Sequence, residues 1–277
     1  MAIYSLKKSY QLKDLQEIDF KDLWGDQGIF TTMWIFGKPA KILFFENHIT
    51  NMIKSLKDYK IKKKTLKKDI LGIINKNLSK KKKYNHLLRV ALNKKTISIS
   101  LRKRIPPKLN FNLKLVNLKR ERPQYKNLKY KKILFYLSKM DNSKSDIGLL
   151  SNSKLLETGT SNLLFIKDNK IFTPKKNYYE GNTYKYFKSK VKKIIKKDIF
   201  IKEIKNYDEI LLIGSGKGVA SVKTIKQVDW KRKNLNQFRN FSKHYRSAIS
   251  KCSLYKFLDM RDPNNPCLFC SIKDTGK

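Results

Sequence analysis

The chain has 277 residues, of which 40% are hydrophobic, and its 64 Lys+Arg outweigh 22 Asp+Glu to give a formal net charge of +42. That apolar fraction supports a core of one or two domains and argues against wholesale disorder. It holds no apolar run of membrane-spanning length and no secretory signal at the N-terminus, and three cysteines are too few for a disulfide framework, which suits the cytoplasm. The charge invites nucleic acid, yet 55 of the 64 cations are lysine and only 9 are arginine, the residue suited to bidentate phosphate and base contacts. Abundant Lys, Asn, Ile, Tyr and Phe beside five Ala point to an A/T-rich codon bias. Neither nucleic acid nor a membrane is therefore an expected partner.

Taken in order, residues 2–6 and 28–45 alternate as strands, with Gly37-Lys38-Pro39 as a turn. A helix is predicted over 46–59, with Ile49, Met52, Ile53 and Leu56 on one face. The lysine-dense run 60–83 carries apolar residues near helical spacing and reads as an amphipathic helix with its flank. Residues 83–93 fit a helix or a strand edge, while 96–104 and 111–118 read as strands. A charged connector, 119–124, separates a smaller N-terminal part (1–118) from a larger C-terminal part (125–251). The second part opens on a helix over 127–139. Hairpins follow, the tighter one turning at Asp168-Asn169. Then come a helix over 184–197, strands over 199–204, 209–213 and 219–225 around the glycine turn 214–218, and a helix over 238–249. The class is α+β. The tail, 252–277, holds Cys267-x-x-Cys270, which lacks the further ligands of a zinc site.

Four segments carry the chemistry: ETGTSNLLFIKDNKIFTP (157–174), DEILLIGSGKGVASV (208–222), YKNLKY (125–130), and GDQGIFTT (25–32) followed by FFENHITNMIKSL (44–56). Together, in this order, they resemble the class IV aminotransferase family, enzymes dependent on pyridoxal 5'-phosphate (PLP) that share the two-domain D-amino-acid aminotransferase-like fold. The resemblance covers residues 1 to about 250 and implies the following roles. Lys126 forms the covalent link to PLP, with Tyr130 packed near the ring. Lys129 and Lys131 are the competing lysines if the register differs. Glu157 pairs with the pyridine nitrogen and keeps it protonated. Ser161 and Asn162 form the turn beside the cofactor. Asn182 and Thr183, together with Ser215, Gly216 and Lys217, hold the phosphate.

Two positions depart from the family pattern: Tyr184, where many members carry Arg after the phosphate loop, and Asn51. His48 matches, but the arginine that follows it by three residues is Asn51 here, and Asn carries neither its charge nor its fork. Lys54 and Lys217 are the candidates to compensate. Thr31, Arg102 and Arg104 fall where relatives contact substrate. Phe30-Thr31-Thr32 resembles the lyase version of the N-terminal motif. The implied activity is conversion of 4-amino-4-deoxychorismate to 4-aminobenzoate and pyruvate in folate biosynthesis. The alternatives are a branched-chain or D-amino-acid aminotransferase and a weakened or non-catalytic member. The resemblance further implies a homodimer acting on a small amino or carboxylate substrate.

Overall fold

The structure is a computed structural model that describes residues 4–61 and 63–255. Cys267 and Cys270 lie outside the described residues. The strands and helices in chain order are β1 (Tyr4–Gln11), β2 (Glu17–Ile18), β3 (Gly28–Gly37), β4 (Lys41–Ile42), α1 (Phe45–Leu56), α2 (Leu66–Asn77), β5 (Tyr84–Asn93), β6 (Thr96–Lys103), β7 (Phe111–Asn117), α3 (Lys131–Ser138), β8 (Ser145–Ser151), β9 (Lys154–Thr158), β10 (Asn162–Lys167), β11 (Lys170–Pro174), α4 (Asn182–Lys188), β12 (Ile195–Lys197), β13 (Glu209–Gly214), β14 (Gly218–Ile225), β15 (Trp230–Lys231) and α5 (Asn236–Ser250).

Two sheets result. The first has the order β2-β1-β6-β5-β3-β4, and the second β12-β11-β10-β13-β14-β7-β8-β9, with β15 on β14. The strand at the end of the N-terminal part, β7, pairs with β14 and β8 in the second sheet. The α1 and α2 helices pack Ile49, Met52, Ile70 and Ile74 against one face of the first sheet. The α4 and α5 helices cover the second sheet through Phe187, Phe241 and Tyr245. A further cluster around Phe30, Leu128, Tyr130 and Ile133 joins the two sheets. The charged flank of 60–83 contains α2 as predicted, lysines outward. The Asp168-Asn169 turn is tight, both residues at positive φ as a two-residue hairpin requires.

Four local expectations are corrected. Residues 83–93 form a central strand, β5, between β3 and β6; its run Leu87–Leu92 is buried throughout and apolar except for Arg89, which is paired with Asp22, as suits a strand covered on both faces. The helix expected from 127 starts at Lys131, because residues 127–128 pair with β3 instead. The helix expected over 184–197 ends at Lys188. Beyond it, Lys188 and Lys192 would stack like charges one turn apart, and Ile195 pairs with Phe172 of β11. The strand expected over 199–204 is a 3-10 turn, Ile201–Asn206, which folds Ile199 and Ile204 into the core.

Candidate active site

Lys126 sits just after the connector, in the segment that runs beside the start of β3. Its carbonyl accepts the Phe30 N–H (2.9 Å), and the Leu128 N–H donates to the Gly28 carbonyl (3.0 Å), so the segment is laced to the start of β3. Gly28 permits that closeness: a Cβ there would lie 2.2 Å from the Leu92 carbonyl oxygen and 2.8 Å from Leu128 Cδ1. Asn127 secures the other flank, its Nδ2 donating to the Glu121 carbonyl (2.6 Å). The fixed backbone sends the Lys126 side chain into a cavity, its ammonium 5.2 Å from the Phe30 ring centroid and 5.8 Å from that of Tyr179.

Glu157, on β9, closes the same end of the cavity at 3% exposure. Its Oε1 lies 3.1 Å from Arg120 Nε in a buried ion pair, and its Oε2 accepts the Tyr179 N–H (3.4 Å). The Arg120 guanidinium also stands 5.2 Å from the Tyr130 ring centroid. Burial lifts the Glu157 carboxyl to about 7, against the pull of Arg120, the Tyr179 N–H and Lys126. Burial, reinforced by Arg120, drops the Lys126 amine to about 8, with Glu157 opposing. Burial pushes the Tyr130 hydroxyl far above its usual range, so it stays a neutral O–H.

A second buried carboxylate shapes the turn after β9. Asp146 accepts from the Thr158 hydroxyl (2.8 Å) and the Thr160 hydroxyl (2.7 Å) and is paired with Lys217 Nζ (3.0 Å). Thr158 Oγ1 in turn accepts the Ser161 N–H (2.8 Å). Asn162 then opens β10, its Oδ1 accepting the Gly181 N–H (3.0 Å) and its Nδ2 donating to the Tyr179 carbonyl. One hydrogen-bonded unit thus fixes the Glu157 strand, the Ser161 turn and the 179–181 loop.

The opposite end of the cavity is neutral. His48 joins Thr31 Oγ1 (2.7 Å) through Nδ1 and Ser215 Oγ (3.2 Å) through Nε2. Burial, with Lys126 second, drops its imidazole to about 3, so it is uncharged. Thr183 Oγ1 is buried with no hydrogen-bond partner and faces the cavity. Asn51 Nδ2 donates to Asn182 Oδ1, and Asn51 Oδ1 accepts from Lys185 Nζ (3.4 Å). Outside Asn51 and Tyr179 opens a cleft of about 450 Å³, lined also by Lys54 and Lys185.

The cavity brings together eight of the residues singled out in sequence: Lys126, Tyr130, Glu157, Ser161, Asn162, Asn182, Thr183 and Ser215. Thr31 and Asn51 line an adjoining hollow with His48 and Lys126. The other four stand apart. Lys217 is engaged with Asp146 and Thr160 (2.6 Å), which takes it out of the compensating role. Gly216 offers its carbonyl to Arg104 Nε (2.8 Å), and Arg104 stacks 4.1 Å over Trp34. Arg102 lies half-buried on β6 opposite Leu87 and Tyr4. The competing lysines turn elsewhere: Lys129 binds the Gly25 carbonyl (2.7 Å) and Lys131 packs on Gly25. Among the described residues, Lys126 is the single lysine in the cavity wall.

Sequence reasoning missed Arg120 and Tyr179. Arg120 was legible: it is one of nine arginines beside 55 lysines, so an arginine in the connector marks a site that needs a planar, permanently charged fork. Tyr179 carries no such signal, because its place depends on the Asn162 hydrogen bonds. Among the described residues no group of three or more His, Cys, Asp or Glu could hold a metal ion, and no helix is long and apolar enough to cross a membrane.

The Amino-transferase class IV family matches residues 28–225. Solved structures with the same fold include a branched-chain aminotransferase from Thermoproteus uzoniensis with norvaline, at TM-score 0.71 and 14% identity over 91% of this chain and 96% of that one. A hypothetical aminotransferase from Mycobacterium tuberculosis, in its PLP-bound form, has TM-score 0.64 and 12% identity over 88% and 99%. A protein from Legionella pneumophila subsp. pneumophila str. Philadelphia 1, provisionally assigned as a 4-amino-4-deoxychorismate lyase, has TM-score 0.67 and 17% identity over 80% and 91%. Among curated protein sequences none matches.

Proposed function

We propose, from the premise that the chain belongs to the class IV aminotransferase family, that it is a lyase converting 4-amino-4-deoxychorismate to 4-aminobenzoate and pyruvate. The family is PLP-dependent, and the residues present fit that group. The carrying observation is Lys126, the single lysine of the described cavity wall, enclosed between Phe30 and Tyr179 and near both Arg120 and Glu157. An amine lowered to about 8 is free base in an appreciable share of molecules near neutrality.

PLP, when bound, supplies an electron sink for the carbon bearing the substrate amine. Glu157 would face the pyridine nitrogen, with Arg120 holding its carboxylate in place and in charge balance. Tyr130 would present a neutral O–H beside the ring. Thr183, Ser215, Asn182 and Asn51 would hold the phosphate, and the orphaned Thr183 hydroxyl is the donor that such a ligand satisfies. Lys126 would hold the cofactor through Nζ and take the proton from the substrate carbon.

The choice of lyase over transaminase is supported by Phe30-Thr31-Thr32. Phe30 forms the floor under the Lys126 amine and Thr31 lines the hollow beside it. The test is a product assay. Pyruvate and 4-aminobenzoate in equal amounts support the lyase. Glutamate formed from 2-oxoglutarate and a branched-chain amino acid, without pyruvate, overturns it in favour of a transaminase. We expect a homodimer, checked by the sedimentation mass at working concentration.

A further inference from the structure

The cofactor's phosphate ester brings close to two negative charges, and the cavity wall has little to meet them. Among the described residues two cations line that wall, Arg120 and Lys126. Arg120 is committed to Glu157 at the far end, and Lys126 must reach the reacting carbon. Lys217 lies behind the wall and is committed to Asp146 and Thr160. The end that carries the orphaned Thr183 hydroxyl and Ser215 is walled by neutral groups, His48 among them. Hydroxyls and amides alone satisfy the oxygens of a phosphate but leave its charge uncompensated.

The missing charge stands just outside. Asn51 spans the boundary: one arm of its amide meets Asn182, the neighbour of Thr183, and the other meets the ammonium of Lys185. Among the described residues Lys185 has no carboxylate partner within 4.0 Å, unlike Lys196 in the same cleft, which is paired with Glu180 (2.7 Å). Its stem starts on α4, two residues after Thr183. Lys54 lines the cleft too, one helical turn after Asn51 on α1, without a contact to the Asn51–Asn182 pair.

We propose that Lys185 is the phosphate cation of this enzyme, with Asn51 as the spacer that holds its ammonium at the Thr183–Ser215 end of the cavity. The proposal rests on the pyridoxal-phosphate reading given above. It places the charge on α4 rather than on the α1 position where Asn51 stands. Held at the solvent mouth, this charge avoids the desolvation penalty of a fully buried one. Its attraction for the phosphate is correspondingly reduced by water and salt.

The experiment compares two ligands that differ only in the phosphate. Equilibrium binding of PLP and of pyridoxal is followed by the absorbance of the lysine-bound chromophore, so no turnover is needed. Lys185→Met weakens PLP roughly tenfold to a hundredfold, as loss of a charge-assisted contact does, and leaves pyridoxal unchanged. The unchanged pyridoxal value doubles as the check that the variant is folded. Lys185→Arg keeps most of the PLP affinity. Added salt narrows the gap between wild type and Lys185→Met.

Three results overturn the proposal. In the first, Lys185→Met binds both PLP and pyridoxal as wild type does. In the second, the phosphate-specific loss appears in Lys54→Met instead. In the third, Lys185→Met weakens both ligands equally, which marks a structural role. If wild type binds neither ligand, the cofactor reading fails and takes this proposal with it, a result distinct from the other three.

Discussion

The two ends of the cavity handle charge in opposite ways. At the lysine end Arg120, Glu157 and Lys126 lie inside the protein, where Arg120 shifts both of the others and Glu157 and Lys126 shift each other. Around His48 and Thr183 the wall is neutral, the imidazole is held uncharged by burial and by Lys126, and the ammonium that Asn51 contacts, Lys185, is on the surface. Buried charge is expensive and persists only where it is paired. In the cavity wall it stands where a proton must be controlled, and is absent around the hydroxyls that need only hold a ligand. The sensitivity of the two ends to substitution should therefore differ sharply.

The largest effect is expected at Lys126. Lys126→Ala should remove the visible absorbance of the bound cofactor and lower product formation by at least about a thousandfold, as loss of a nucleophile does elsewhere. Retention of the absorbance band would assign the role to another lysine. Next comes Glu157→Leu, which leaves Arg120 buried and unpaired. Removing one partner of such a pair costs about 3–5 kcal/mol, measured by urea denaturation of the cofactor-free protein. The double variant Arg120→Met/Glu157→Leu should recover most of that loss. If the single variant is as stable as wild type, the lysine end is not a charge-balanced unit.

The pH dependence sharpens the same contrast. Cofactor capture by Lys126 should rise as pH passes through about 8, because below that point the amine is an ammonium and cannot attack. The native state binds fewer protons than the unfolded chain between about 8 and the ordinary lysine value of 10.5. The contribution of Lys126 to stability thus grows across that window and is absent below it. Glu157 favours the ammonium form, so Glu157→Gln should move the capture midpoint downwards. A midpoint near 10.5 would show that Lys126 is solvated.

Much of this was legible in the sequence, for identifiable reasons. Strands β3, β6, β13 and β14 showed because their apolar runs end at glycines, prolines or tight turns. Lys126, Glu157, Ser161 and Asn162 showed because they sit in short motifs whose order is specific. The misreadings cluster where tertiary partners override local pattern. Residues 127–130 could have continued a helix, but hydrogen bonds to Gly28 and Gly25 hold them to the first sheet. Residues 189–197 have helical spacing, but Ile195 finds β11. Lys217 looked like a phosphate ligand in a glycine turn, and only the fold reveals Asp146 behind it. Its case shows how a basic composition misleads: among 55 lysines, the chemical role depends on which carboxylate each one faces.

The smallest expected effect tests the neutral end. Asn51→Ala removes the amide that joins Asn182 to Lys185. Asn51 is partly exposed, so water can replace both contacts, and the net loss of a neutral hydrogen bond is about 0.5–1.5 kcal/mol. The cofactor-free variant should therefore unfold within about 1 kcal/mol of wild type in urea. This lies well below the cost expected for Glu157→Leu, which strands a charge that water cannot reach. A loss as large as that of Glu157→Leu would mean that the hydroxyl end also depends on buried electrostatic balance, and the division between the two ends would fall. A small loss keeps the division: removing a partner is costly where charge is buried, and nearly free where the charge already stands in water.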